Sequence, residues 1–259
     1  TPGWDRGNSI YQTADSGFVV CGTAYDDVWV LKLNADGTIV WQTRYGGGLG
    51  DSDEFGYSVQ QTTDGGYIVS GSTYTFGTGG SLDFWVLKLQ SDGTLSWAKS
   101  YGTSSGQSAR AIIQTSDGGY LAIGDTLGLG FGGEDLLVLK LDANGDILWQ
   151  KVIGGSDYDA PINDDYKAGR PVETADGGFI IGGYTWSFGA GSADIWVVKL
   201  DSNGEIVRQK TYGGTVLDEA HQIAVHPDGG FAVLGRTSSF GAGSFDVLVA
   251  LNGGHLQGG

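Results

Sequence analysis

An all-β fold, a β-propeller of five four-stranded antiparallel blades, is predicted by three features of this 259-residue sequence. First, an Asp-(Gly/Ser)-Gly-aromatic turn followed by a short apolar run ending in Gly occurs five times. The copies are Asp15-Ser16-Gly17-Phe18, Asp64-Gly65-Gly66-Tyr67, Asp117-Gly118-Gly119-Tyr120, Asp176-Gly177-Gly178-Phe179 and Asp228-Gly229-Gly230-Phe231. Their Asp positions differ by 49, 53, 59 and 52 residues, a period that marks one supersecondary unit reused. Second, strand-length apolar runs are bounded by Asp-Gly and Asn-Gly turns, where Gly supplies the positive φ of a tight hairpin. Third, helical periodicity is absent and only 4 Pro accompany 48 Gly, so no helix is expected.

The second copy shows the elements in order. Residues 57–62 read as a first strand entering the turn at Asp64, and 67–71 as a second. The longer loop 74–80 leads to a third strand, 84–89, and the turn 91–94 leads to a fourth, 95–101. Four strands in each of five units describe radial blades, whose closure hides the long edges an open sheet would expose. A β-solenoid is the alternative, but its rungs are usually shorter and lack two such hairpins per repeat. One domain over 1–259 is expected, with units at 5–48, 49–103, 104–155, 156–214 and 215–259.

The fourth copy carries the whole motif: Thr185, Phe188-Gly189-Ala190-Gly191, Asp194, Trp196-Val197-Val198-Lys199-Leu200, Asn203-Gly204 and Tyr212-Gly213-Gly214. This pattern resembles the propeller repeats of secreted bacterial and archaeal proteins, most of them uncharacterised. The resemblance covers essentially the whole chain. It implies a propeller in an extracellular setting and implies no activity. One departure is Arg208, which stands where Trp41, Trp97 and Trp149 stand in other copies and is expected to alter one outer-strand packing contact.

A net charge of −16, from 14 basic and 30 acidic residues, argues against a nucleic-acid partner, which needs clustered Lys and Arg. It suits cations, neutral glycans or solubility. No apolar run approaches the roughly 18 residues of a membrane span. A chain that opens on Thr1 and contains no Met reads as processed or trimmed, and a secreted or cell-surface protein is expected. Cys21 is the single Cys, so no intrachain disulfide forms. Its repeat equivalents Ser70, Ile123, Gly182 and Leu234 predict a small buried side chain rather than a nucleophile.

In the last unit, 246–251 read as a third strand and His255-Leu256-Gln257 as the start of a fourth that then stops. An incomplete last blade with an open third-strand edge is therefore expected. Either the blade is simply three-stranded, or a neighbouring molecule pairs with that edge in a head-to-tail assembly.

Loops joining second to third strands, and fourth strands to the next first strand, gather on one face of a propeller. Here they are long and variable, which makes that face the expected ligand site. Phe76, Phe131, Phe188 and Phe240 recur at one repeat position and read as loop packing. Tyr74 and Trp186 lack aromatic counterparts in the other copies and are candidates for stacking on a sugar. Glu54, Tyr158 and Glu173 complete the candidate ligand residues. The insertion 155–167 offers Asp157, Asp159, Asp164 and Asp165 as hard oxygen ligands for calcium, without the spacing of a known calcium loop. A solvated acidic loop is the competing reading. Asp27, Asp83, Asp135, Asp194 and Asp246 open every third strand and are expected to tie down loops by accepting backbone N–H bonds.

The function expected on these grounds is non-catalytic binding or adhesion outside the cell, to a glycan or a calcium-dependent protein partner. A structural subunit that self-associates through its fifth blade is an alternative. A carbohydrate-active enzyme using channel carboxylates is another. Among Gln12, Gln61, Gln114, Glu173 and Val225 at one first-strand position, only Glu173 ionises, with Asp5, Glu54 or Asp218 at strand entrances as partners. His221, His226 and His255 neighbour no Ser or Cys in a nucleophile motif. No catalytic residue is assigned, and the chain is expected not to be an enzyme.

Overall fold

The computed structural model describes residues 5–47, 53–161, 169–225, 230–241 and 243–252, and every regular element among them is a strand. The first sheet is β1 (Arg6–Gln12), β2 (Phe18–Ala24), β3 (Asp27–Leu33) and β4 (Ile39–Tyr45), hydrogen-bonded in that order. β5 (Glu54–Gln61), β6 (Tyr67–Thr73), β7 (Asp83–Leu89) and β8 (Leu95–Tyr101) repeat it. So do β9 (Gln107–Gln114), β10 (Tyr120–Leu127), β11 (Glu134–Leu141) and β12 (Ile147–Ile153). In the fourth sheet the first strand is split into β13 (Asp159–Ala160) and β14 (Val172–Glu173), both paired with β15 (Phe179–Thr185). β16 (Asp194–Leu200) and β17 (Ile206–Tyr212) complete it. The fifth sheet is β18 (Asp218–Val225), β19 (Phe231–Thr237) and β20 (Asp246–Asn252).

Five successive antiparallel sheets of this order are the blades of a five-bladed β-propeller. The fifth has three strands among the described residues, and 255–257 lie outside them. The chain divides into two compact units, Thr1–Leu127 with Leu139–Leu148 and Gly128–Val138 with Trp149–Gly259.

Each of the first four Asp-(Gly/Ser)-Gly turns is held by a lysine that sequence reading leaves unassigned, and the fifth copy has Leu251 at that position. Thr62 Oγ1 (2.5 Å) and the Gly66 amide (3.0 Å) donate to Asp64 Oδ1, and Lys88 Nζ lies 2.8 Å from Asp64 Oδ2. Lys32, Lys140 and Lys199 reach Asp15, Asp117 and Asp176 in the same way. The Lys of each Trp-Val-x-Lys-Leu segment, or Leu-Val-Leu-Lys-Leu in the third copy, is thus a strut from the third strand back to the first turn.

Burial pushes the Asp64 and Asp117 carboxyls up. The lysine, the threonine hydroxyl and the glycine amide outweigh it, and both settle at about 2 against an ordinary 3.8. Asp15 and Asp176 are also lowered, chiefly by the hydroxyls of Thr13 and Thr174 and then by Lys32 and Lys199. A depressed folded pKa contributes stability that is present above the unfolded value and lost as pH falls through the folded one. Stability should therefore drop between pH 3.8 and about 2. Urea unfolding across that window should show a flatter acid limb for Lys140→Met, with a loss of about 1–2 kcal/mol at neutral pH. An acid limb identical to that of the parent would refute the strut.

Within the first unit, Val19, Cys21, Val28 and Val30 of the first sheet pack against Val59, Val69, Trp85 and Leu87 of the second. Within the second unit, Ile180, Ile195 and Val197 meet Ala220, Ile223 and Val233. Each such side chain contributes roughly 1.5–3 kcal/mol on leaving water. Cys21 is buried, as its repeat position implies.

Outer strands add a clamp. Trp41 Nε1 donates to the Ser91 carbonyl (3.1 Å), and Tyr45 donates to the Gly93 carbonyl (2.5 Å) in the next sheet's turn. Trp149 makes the corresponding bond to Ser202 (3.1 Å). Trp97 lies against Gly145, whose φ of +79° and lack of a Cβ let the ring close on the turn. The tryptophan therefore grips the following blade rather than packing only its own. Arg208 occupies this position in the blade before the three-stranded one, where no following turn is described.

The fifth sheet has an open face. Val247 and Val249 are 76% and 57% exposed, whereas their repeat counterparts Ile195 and Val197 are buried. Leu234 on β19 is exposed beside them.

Candidate functional site

Side chains from three successive repeats of the second unit converge on one cleft of about 350 Å³, lined by Glu134, Tyr158, Tyr184, Trp186, Leu217, Glu219 and Arg236. Local structure sets each of them. The Trp186 amide donates to the Tyr158 carbonyl (2.8 Å), which fixes the two residues opposite each other. Gly133, just before Glu134, lies so close that an added Cβ would sit 3.2 Å from the Tyr158 ring. Glu219 and Arg236 face each other in register across β18 and β19, and the Arg236 guanidinium donates to the Glu219 carboxylate. The same guanidinium lies 4.7 Å over the Phe245 ring. Tyr158 and Trp186 remain 50% and 47% exposed. Exposed aromatic faces beside two carboxylates form an amphipathic wall, with polar groups to orient a ligand and flat apolar surfaces to stack on it.

The structure brings Tyr158 and Trp186 into this cleft together. It does not bring the other candidates there. Tyr74 sits in the first unit, part exposed, with its amide donating to the Asp53 carbonyl (3.4 Å). Glu54 is buried and accepts from Thr73 Oγ1 (3.0 Å) and the Thr75 amide (3.1 Å), so it holds a loop. Glu173 lies at the opposite, turn-proximal end of its blade, in register with Phe179. Its repeat equivalents Gln61 and Gln114 accept the amides of Ala14 and Thr63 (2.8 Å each), so that position joins neighbouring turns.

Among the calcium candidates, Asp159 is buried and accepts from Thr185, from the Gly155 amide (2.7 Å) and from Ser187 Oγ (2.6 Å). Asp157 is exposed, and its amide donates to Ser187 Oγ (2.9 Å). Asp164 and Asp165 lie outside the described residues. No group of three or more His, Cys, Asp or Glu suited to a metal occurs among the described residues. Loop-tying is seen directly at three of the five third-strand aspartates. Asp83 accepts from the Thr78 amide (2.5 Å), Asp194 from that of Ala190 (2.6 Å) and Asp246 from that of Gly243 (3.1 Å).

A cleft of about 570 Å³ in the first unit, between Asp5, Tyr25, Trp29 and Arg44, holds one carboxylate and suits acid–base work less well. Sequence reading missed Glu134, Glu219 and Arg236. Glu134 and Glu219 each stand beside an Asp, and all three occupy repeat positions with no shared identity across copies.

No family model matches this sequence, and no curated protein matches it. Solved structures do share its fold. A protein of unknown function from Bacteroides caccae is similar with a TM-score of 0.57 and 14% identity, over 90% of this chain and 72% of its own. A thermostable family-43 glycoside hydrolase has a TM-score of 0.52 and 12% identity, over 97% and 90%. A protein from Lactobacillus plantarum has a TM-score of 0.53 and 16% identity, over 93% and 70%. These likenesses establish the fold, and they correct one expectation. The chain was expected not to be an enzyme for want of a motif, yet a glycoside hydrolase has a similar fold at 12% identity, so the lack of a motif does not exclude catalysis. No helix among the described residues is long and apolar enough to cross a membrane.

Proposed function

We propose that this chain is a carbohydrate-active propeller that hydrolyses a glycan in the cleft between Tyr158, Trp186, Glu134 and Glu219. The observation that carries this reading is two carboxylates and two half-exposed rings lining one cleft, in a fold similar to that of a glycoside hydrolase. Aromatic faces stack on the C–H face of a sugar. Hydrolysis then needs one carboxyl group to protonate the leaving oxygen and one carboxylate to activate water or attack the sugar. Glu219, ion-paired with Arg236, is assigned the second role, which leaves Glu134 for the first. A polymeric glycan substrate fits a secreted setting. The test is sugar release from arabinan, xylan, galactan and β-glucan. Release that depends on both Glu134 and Glu219 supports the reading, and absence of release from every polymer retires it.

A second reading rests on the exposed Leu234, Val247 and Val249 of the fifth sheet. An apolar sheet face of this kind suits pairing with a second copy. Sedimentation equilibrium should then show association that Val247→Asp abolishes, and a monomer at all concentrations would dismiss it.

A further inference from the structure

In the second and fourth blades the loop after the second strand, 74–82 and 186–193, lays a phenylalanine over the tryptophan of the third strand. The Phe76 ring stacks 5.3 Å from that of Trp85, and the Phe188 ring lies 5.8 Å from that of Trp196. Both tryptophans are buried, 3% and 1% exposed. Trp29 holds the same position in the first blade. It lies in register with Gly22, as Trp85 does with Gly71 and Trp196 with Gly183. Here the loop is reduced to Tyr25 and Asp26, which alone join β2 to β3. Among the described residues no ring lies over Trp29, and its side chain is part exposed.

The slot this leaves is the cleft of about 570 Å³ between Asp5, Tyr25, Trp29, Gln42 and Arg44, a volume in the range of small-ligand sites. Gln42 and Arg44 stand two apart on β4 and share one face, and Arg44 is in register with Trp29. Trp29 Nε1 donates to Gln42 Oε1 (3.3 Å), which ties the indole to the amide. The Arg44 guanidinium lies 5.1 Å over the Tyr25 ring and 3.6 Å from Asp27 Oδ2. The half-exposed Tyr25 ring is therefore held in place although it stands on a turn.

That turn carries strain that glycine would relieve. Tyr25 and Asp26 have φ of +55° and +68°, the pair of positive values that Asn-Gly or Gly-Gly adopts at little steric cost. The chain keeps an aromatic ring there, and that ring lines the cleft.

We propose that the first blade carries a second, non-catalytic carbohydrate site, in which a neutral sugar ring lies on Trp29 where the second and fourth blades lay a phenylalanine. A flat ring fits because the same slot takes one in those two blades. A sugar suits the lining better than an aromatic side chain does. The apolar indole face is bordered by the Asp5 carboxylate, the Gln42 amide and the Arg44 guanidinium, which match ring hydroxyls. A neutral sugar is favoured because Asp27 balances the Arg44 charge and Asp5 adds a negative one, so no surplus positive charge awaits an acidic sugar. The site shares no residue with the hydrolytic cleft and does not rest on that reading.

The test is affinity electrophoresis of the full chain through gels containing arabinan, xylan, galactan or β-glucan. At least one polymer should retard the parent, and Trp186→Ala, which strips a ring from the other cleft, should still be retarded. Tyr25→Gly suits the positive φ of the turn and removes the ring, and it should weaken binding about tenfold. Residues 74–82 grafted in place of 25–26 supply a phenylalanine for Trp29 and should abolish retardation, with thermal melting to show that the graft is folded. Gln42→Ala, at an exposed position away from the turn, should also weaken binding and keeps the test open if the graft does not fold. No retardation of the parent by any polymer, unchanged retardation in Tyr25→Gly and Gln42→Ala, or complete loss in Trp186→Ala overturns the inference. Retardation without sugar release retires hydrolysis and leaves this site standing.

Discussion

Glu219→Gln is expected to lower glycan hydrolysis by about 10²–10⁴-fold, the range typical of losing an acid–base group. The substitution keeps the shape of the side chain and an acceptor for Arg236, but removes the negative charge that activates water or attacks the sugar. Its effect should fall on kcat, because the rings of Tyr158 and Trp186, proposed to stack on the sugar, are untouched. Glu134→Gln should also lower kcat, and most severely on substrates whose leaving group needs protonation. Activated aryl glycosides should rescue Glu134→Gln and not Glu219→Gln. Steady-state kinetics of both variants on a polymer and an aryl glycoside check this. If Glu219→Gln changes only the melting temperature, the residue serves as the structural partner of Arg236 and not in the reaction.

The fold was legible because its signals are local. An Asp-Gly-Gly turn or a strand-length apolar run declares itself within a few residues, and fivefold recurrence removes ambiguity. What joins one repeat to the next was not legible. Lys140 belongs to the turn of Asp117, 23 positions away, and nothing in the third-strand run says so. Trp41 reads in sequence only as an outer-strand packing residue, because the turn it grips, around Ser91 and Gly93, lies 50 positions on. Asp194 and Asp218 read in sequence as separate residues for the same reason. Asp194 and Asp218 recur in different parts of the motif, and only the fold lays one against the other. In the candidate cleft, Trp186 stands out with Tyr74 as an aromatic without counterparts in the other copies, and Tyr158 lies in the insertion that breaks the repeat. Glu134 and Glu219, at the starts of β11 and β18, break it too, but one more carboxylate beside an Asp in so acidic a chain carries no contrast.

Gly71→Ala is expected to be among the most damaging single methyl additions in this chain, costing about 3–5 kcal/mol. Each second strand ends its apolar run in Gly, at Gly22, Gly71, Gly124, Gly183 and Gly235. Hairpin chemistry does not explain this, because none of these residues has a positive φ. The cause is a close approach. The partner strand has a register shift between Gly56 and Ser58, and the Phe55 carbonyl is thereby driven against the Gly71 Cα. A Cβ there would overlap that carbonyl oxygen, and an extended backbone hydrogen-bonded on both edges cannot retreat. The comparison that isolates this cause is Gly65→Ala, in the turn of the same blade. Gly65 has a φ of +81° but open space around its missing Cβ, so it should lose only the roughly 1–2 kcal/mol of left-handed strain. Urea unfolding of the two variants should therefore rank Gly71→Ala well below Gly65→Ala. Equal losses would mean that the strands separate easily at the bulge, and the repeated glycine would then need another explanation.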